Sequence, residues 1–238
     1  MILTNYMSEF EKYGFYLKQE EIEKFCIYLS ELMFYKDKIN LTSHSTEEDI
    51  VRENFLDSLT CLQAGIEFKE KKIIDIGTGA GFPGLPVKIV TNSIKLYLLE
   101  STRKKIKFLE RLIDKLSLSD TYILPGRAEE FAIKENFRGS FDMALARGVA
   151  NLTVLIEYGL PFLKLNGIFI AQKGRKFKEE IDLSQRAMEI LGGNLLDIKN
   201  VTTGNTKEEK KLILIQKISP TPDKYPRRPG MPSKRPLF

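Results

Sequence analysis

The chain has 238 residues, 42% of them hydrophobic, with 37 basic against 32 acidic side chains and a net charge of +5. That length suits one α/β domain with an appendage, its apolar runs fall far short of the ~20 residues of a bilayer span, and its opening MILTNYMSEFEKYG lacks the basic-then-apolar pattern of a signal peptide, so a cytoplasmic protein is expected. Two cysteines, Cys26 and Cys61, and one histidine, His44, exclude a disulfide framework and the usual zinc sites, and they leave no obvious Ser-His-Asp or Cys-His nucleophile.

Residues 1–65 read as helical. Ile22, Phe25, Cys26, Leu29, Leu32 and Met33 recur at helical spacing as one apolar stripe, with both cysteines read as buried thiols. Ser45 and Thr46 ahead of Glu47, Glu48 and Asp49 supply a cap and an acidic first turn. Ile50, Phe55, Leu56, Leu59 and Leu62 carry the next helix to about Gly65. From Lys71 the pattern alternates. Strands are expected over 72–76, 94–99, 120–124, 141–146 and 166–172, and helices over about 84–91, 102–116, 127–133, 151–164 and 176–191. This alternation is the signature of a doubly wound α/β sheet. Two last strands, near 195–203 and 210–218, are joined only by GNTKEEKK and should form an antiparallel hairpin at the sheet edge. The expected organisation is a helical extension over 1–65, a cofactor-binding domain over 66–218 and a basic, proline-rich tail over 219–238. With no long exposed heptad, a monomer is expected.

After the first strand comes DIGTGAGFPGLP. It fits G-x-G-x-G at Gly77, Gly79 and Gly81, and G-x-G-x-x-G at Gly79, Gly81 and Gly84. Glycines there let the backbone turn tightly and approach a ligand at the carboxyl end of the sheet. Pro83 suits the first turn of the next helix. Glu100 ends the second strand, where a carboxylate can accept ribose hydroxyl protons. To this point NAD and S-adenosylmethionine fit equally. Asp75 favours the second: it would repel a pyrophosphate but help an amino-acid ammonium. Its alternative is a strand-end cap. The terminal hairpin also matches a class I methyltransferase (Rossmann-like) sheet better than a dehydrogenase.

Absences narrow the methyl acceptor. The place after the fourth strand reads LARGVANL, without the Asn/Asp-Pro-Pro-aromatic motif of amino-methyltransferases, and both cysteines precede the glycine loop. A ring nitrogen such as guanine N7 needs neither device, because proximity and alignment can supply most of the catalysis. A 2′-hydroxyl would want a group to manage its proton, and Lys173 could serve. Arg147 ends the fourth strand beside the expected methyl group and can orient a guanine or a phosphate; a salt bridge to a neighbouring carboxylate is its alternative. Lys173 and Arg175 end the fifth strand as phosphate contacts or solvated side chains. The tail carries Lys224, Arg227, Arg228, Lys234 and Arg235 among six prolines, which exclude a helix or central strand. It is either a solvated tail or a basic arm along a phosphate backbone.

KINLTS (38–43), FLDSL (55–59), DIGTGAGFPGLPVKI (75–89), LLESTRKKIKFLE (98–110), GRAEEF (126–131), ARGVANL (146–152), AQKG (171–174) and YPRRPGMPSKRPL (225–237) lie in one order. This resembles the glucose-inhibited division protein B family, bacterial S-adenosylmethionine-dependent methyltransferases of guanine N7 in 16S ribosomal RNA of the small subunit. The resemblance covers essentially the whole chain from about Asn40. It implies cofactor contacts at Gly77, Phe82, Ala128, Glu129 and Arg147, with Ala128–Glu129 holding the adenine. From the residues alone GRAEE reads as the acidic first turn of a helix. The resemblance also implies that the tail is an ordered part of an RNA-facing surface. There is one departure: where the family often carries a histidine before the Asp-Ser-Leu element, this chain has Asn54, so no role of that histidine carries over.

Overall fold

The computed structural model describes residues 6–44, 46–201 and 210–238. Seven strands form one sheet: β1 (Lys72–Ile76), β2 (Lys95–Glu100), β3 (Thr121–Pro125), β4 (Phe141–Arg147), β5 (Leu163–Lys173), β6 (Gly193–Val201) and β7 (Lys210–Lys217). Their order is β3-β2-β1-β4-β5-β7-β6. The first five run parallel, and β7 is antiparallel to both β5 and β6. The expected terminal hairpin is therefore present, with its later strand on the inside. Side-chain pattern explains the order. KKLILIQK is buried along nearly its whole length, whereas β6 alternates between half-buried and exposed. A strand covered on both faces needs a continuous apolar run, and an edge strand does not.

The helices that follow the strands are α5 (Gly84–Val90), α6 (Arg103–Lys115), α7 (Ala128–Phe131), α8 (Leu152–Gly159) and α9 (Phe177–Leu191). The helix expected over 151–164 stops early: a 3-10 turn at Leu160–Phe162 holds Pro161, and β5 begins at once. Proline offers no N–H to continue a helix. Ahead of the sheet lie α1 (Met7–Lys12) and α2 (Gln19–Tyr35). The second long helix of that region is broken into α3 (Glu47–Ile50), a π-helical stretch Val51–Leu56, α4 (Asp57–Leu59) and a 3-10 turn Thr60–Ala64, closed by Gly65 at φ +75°. Thr46 caps α3 by accepting the Asp49 N–H at 3.1 Å. Ser45 and residues 202–203, which the sequence reading included in the cap and in a strand, lie outside the described residues.

Alternate residues of each strand feed two cores. Ile73, Leu98, Leu145, Ile170 and Leu214 face one side, together with Phe25, Tyr28, Phe55 and Leu59 of the N-terminal helices and Leu109 of α6. Ile74, Ala144, Phe169 and Ile213 face the other, against α8 and α9. The helices before residue 65 thus share one core with the sheet, and the boundary drawn at 65/66 marks a change of pattern rather than a gap in packing. Each buried large apolar side chain here contributes about 1.5–3 kcal/mol, so this covering layer is held as firmly as the helices on the opposite face. No described helix is long and apolar enough to cross a membrane.

Candidate active site

Strand order reverses beside β1, which pairs with β2 on one side and β4 on the other. The crevice at the carboxyl ends of β1 and β4 is where an open α/β sheet binds its ligand, and the glycine loop lies in it. Gly77 sits at φ +66°, and a Cβ there would come within 2.7 Å of Val149. A side chain is excluded twice, by conformation and by contact. Asp75, by contrast, is fully buried under the loop. Its Oδ2 accepts from Thr78 Oγ1 at 2.6 Å and from the Gly84 N–H at 2.8 Å. Burial pushes its pKa up to about 6, against the lowering effect of those two bonds. Asp75 thus shapes the loop from behind; the direct contact with a ligand ammonium expected from the sequence is not one that this placement offers.

Tyr28 of α2 holds the same loop from the other side. Its buried hydroxyl donates to the Ala80 carbonyl at 2.6 Å, and its ring stacks on Phe82 at 5.4 Å. A Cβ on Gly81 would come within 2.6 Å of the Tyr28 oxygen. Sequence reading passed over Tyr28, because a tyrosine inside an apolar stripe gives no sign of what its hydroxyl reaches.

On one side of the loop is a cavity of about 220 Å³ whose lining includes Gly77, Glu100, Ala128, Glu129, Val149 and Tyr158. Glu100 is nearly buried. Its Oε2 accepts the Gly79 N–H at 3.0 Å, and its Oε1 accepts those of Ser101 and Thr102 at 2.9 and 2.7 Å. A carboxylate has about four acceptor positions, so three backbone bonds leave Glu100 one, on Oε2, where the sequence reading had it accept both ribose hydroxyls. Glu129 is also nearly buried and accepts the Gly230 N–H on Oε1 at 2.9 Å. The sequence reading assigned Tyr158 no role. It lies in the apolar run of α8, which masks it.

On the other side is a wider cavity of about 460 Å³, lined by Thr42, His44, Asn54, Phe82, Lys105, Arg147 and Lys210 among others. Arg147 lies 4.9 Å from the Phe82 ring centre. Its Nη1 donates to the Glu53 carbonyl and to Asp57 Oδ2, both at 2.9 Å. Lys210 of β7 reaches Glu53 Oε2 at 2.6 Å and Asp57 Oδ1 at 3.0 Å. Burial alone would lower the Lys210 pKa; the Asp57 and Glu53 carboxylates outweigh it and raise it. Asp57 and Glu53 come from the π-helical stretch and its end. Such irregular turns recur at functional sites. Asn54 is buried beside them, its Oδ1 3.0 Å from His44 Nδ1 and 3.1 Å from Thr42 Oγ1. The Arg147 salt bridge weighed at the sequence level is thus present, and it uses only the Nη1 edge among the described residues.

The cations expected to meet RNA divide. Lys173 is turned inward: its Nζ is 2.7 Å from Glu180 Oε2 and donates to the Ala150 carbonyl at 2.7 Å, with 9% of the side chain exposed. Arg227 also faces inward, against Glu157, its Nη2 2.6 Å from Oε2. These two are corrections to the sequence reading, and in both a nearby carboxylate, half-buried Glu180 or buried Glu157, claims the charge. Arg175, Arg228, Lys234 and Arg235 are exposed. Nor does the tail trail free: Arg138 donates to the carbonyls of Thr221 and Tyr225, each at 2.8 Å, and, against the expectation that its prolines exclude a helix, the one-turn α10 (Met231–Lys234) follows, with Pro232 in its first turn where no N–H is needed.

A parallel sheet ending in an antiparallel hairpin, with a glycine loop and acidic residues at its switch point, defines a class I methyltransferase. The crystal structure of Pyrococcus horikoshii TYW2 in complex with MeSAdo shares the fold, with a TM-score of 0.53 and 15% identity over 68% of this chain and 62% of that one. The chain belongs to the GidB family, described as rRNA small subunit methyltransferase G, whose profile matches residues 21–212. A ribosomal RNA small subunit methyltransferase G of Alkaliphilus metalliredigens (strain QYMF) is 43% identical over 227 residues, 95% of each chain. Another, of Clostridium botulinum (strain Alaska E43 / Type E3), is 44% identical over 94% of each.

Proposed function

We propose that this protein methylates N7 of a guanine in the 16S ribosomal RNA of the small ribosomal subunit, using S-adenosylmethionine, and acts as a cytoplasmic monomer. The observation that carries the reading is the meeting of two cavities at Gly77, one framed by acidic residues and the other edged by Arg147 and Phe82, in a chain of this family. The site fits the cofactor: Gly77, at φ +66°, presents bare backbone to the cavity it lines, and Glu100 retains one acceptor position. When bound, the cofactor supplies a methyl group activated on a sulfonium.

The chain's own residues bind and align. Glu100 takes a ribose hydroxyl, and Glu129, beside Ala128, reads the adenine amino edge. Gly77, Gly79 and Gly81 bring the backbone close to the amino-acid end, with Phe82 as its floor. Arg147 presents its Nη2 edge to the acceptor guanine or its phosphate while Asp57 holds the other edge. Guanine N7 carries a lone pair and no proton, so no side chain has to act as a base; alignment is the task, and alignment alone can supply several kcal/mol. The 2′-hydroxyl alternative relied on Lys173, whose engagement with Glu180 and Ala150 speaks against it. Arg175, Arg228, Lys234 and Arg235 offer exposed charge for phosphate.

The test is transfer of tritiated methyl from S-adenosylmethionine to small subunits and 16S RNA that lack the modification, followed by nucleoside analysis. Label in 7-methylguanosine is the expected result. Label in a 2′-O-methyl nucleoside, or no transfer, overturns the assignment.

A further inference from the structure

The tail reaches the cofactor side of the site. Arg227 grips Glu157 through Nε and Nη2, and its own N–H donates to Glu157 Oε1 at 2.9 Å. Glu157 is 1% exposed, so without Arg227 its charge would be buried unpaired, and the three charge-assisted bonds latch the tail in place. Beyond the latch the backbone turns at Gly230, φ +80°, and delivers its N–H to Glu129 Oε1 at 2.9 Å. Three residues on, Ser233 Oγ lies 3.0 Å from the Tyr158 hydroxyl. Glu129 and Tyr158 both line the smaller cavity.

We propose that the strap Arg227–Arg235 is a positioning wall of the cofactor pocket, and that the Gly230 N–H sets the Glu129 carboxylate to read the adenine amino group. The inference rests on the cofactor reading given above and extends it to residues with no direct ligand contact. The chemistry is simple. A glutamate has three side-chain torsions and, unheld, spends its time in many rotamers. Fixing Oε1 on a backbone donor, with the Tyr158 hydroxyl also engaging the side chain, orients the plane of the carboxylate toward the exocyclic amine. Ordering is then complete before the ligand arrives, which is how preorganisation raises affinity. Ser233 steadies the neighbouring wall at Tyr158.

The experiment compares full-length protein with a chain ending at Pro229, which keeps the Arg227–Glu157 latch, and with full-length Gly230→Val. A Cβ at position 230 would meet nothing within 4 Å, but the positive φ is strained for a β-branched residue, so this variant redirects the N–H without a clash. Calorimetric titration uses S-adenosylhomocysteine and an analogue whose purine lacks the exocyclic amine. Full-length protein should prefer the first; both variants should bind it about tenfold more weakly, as loss of one such bond requires, and bind the analogue nearly unchanged. Equal weakening for both ligands, or retained discrimination alongside lost RNA binding, overturns the proposal: the strap would then be a general support or an RNA arm alone. Full-length protein that binds both ligands equally overturns the role of Glu129. Full-length protein that binds neither removes the cofactor reading itself.

Discussion

The two cavities that meet at Gly77 are built by opposite means. The smaller one is shaped mainly by backbone: the glycine loop, the three N–H groups that hold Glu100, and the strap donor on Glu129. The larger one is made of long side chains from distant segments, with Arg147 of β4, Asp57 and Glu53 of the N-terminal helices and Lys210 of β7 in one ion-pair network. A backbone cradle changes little from one ligand state to the next, and suits a small molecule used in every turnover. A network of half-buried ion pairs can rearrange its partners at small cost, and suits a macromolecular acceptor that must enter and leave.

If that division holds, substitutions should separate binding from transfer. The largest effect is expected for Arg147→Ala, which should cut methyl transfer at saturating cofactor by about a hundredfold, the scale of a lost alignment. Its effect on cofactor affinity should be smaller, and the fold should survive because Lys210 still neutralises Asp57. Transfer rates and a thermal melt read both, and near-normal transfer would remove Arg147 from the mechanism. Glu100→Gln should do the reverse. It turns an amide nitrogen toward backbone donors, costing about 1–3 kcal/mol, so the cofactor Kd should rise tenfold or more while transfer at saturation changes little. An equal loss in both would mean that the two cavities are one unit.

The smallest expected effect is a pH dependence beneath the loop. A carboxyl whose folded pKa is raised binds its proton more readily folded than unfolded. The stability Asp75 contributes is therefore complete below the ordinary value of 3.8 and lost as pH rises through about 6. The stability of wild type relative to Asp75→Asn should accordingly fall between pH 4 and 7, as followed by denaturant unfolding. A rise over that window would show that the bonds from Thr78 and Gly84 outweigh burial.

The smaller cavity was far more legible in the sequence than the larger. Gly77 and Glu100 are local signals placed by the strands that precede them, and strand positions follow from period-two patterning and glycine punctuation; GRAEE read from the residues alone only as the acidic first turn of a helix, and its place beside the cofactor came from the family resemblance. The network around Arg147 joins residues 90 positions apart and more, and no local pattern encodes such a pairing. Asp57 stood in a quoted motif without a role, Lys210 stood at the end of a charge run, and Tyr28 was hidden in its own helical stripe. Lys173 and Arg227 were misread for a related reason. Composition marks them as basic, but only the fold places Glu180 and Glu157 beside them. The order β5-β7-β6 was the subtlest point: the hairpin could be read from its short connection, while its insertion depends on which of two strands can be covered on both faces.

That insertion has a consequence for the chain as it is made. Strand β5 leaves the ribosome with its outer edge unpaired, and its partner β7 follows only after α9 and β6 have been synthesised. At ordinary elongation rates the wait is roughly 2–7 s, long compared with the microseconds in which a hairpin closes. Through that interval the nascent protein carries an open apolar edge, the kind of surface on which chains aggregate, and that edge closes only once β7 has been made.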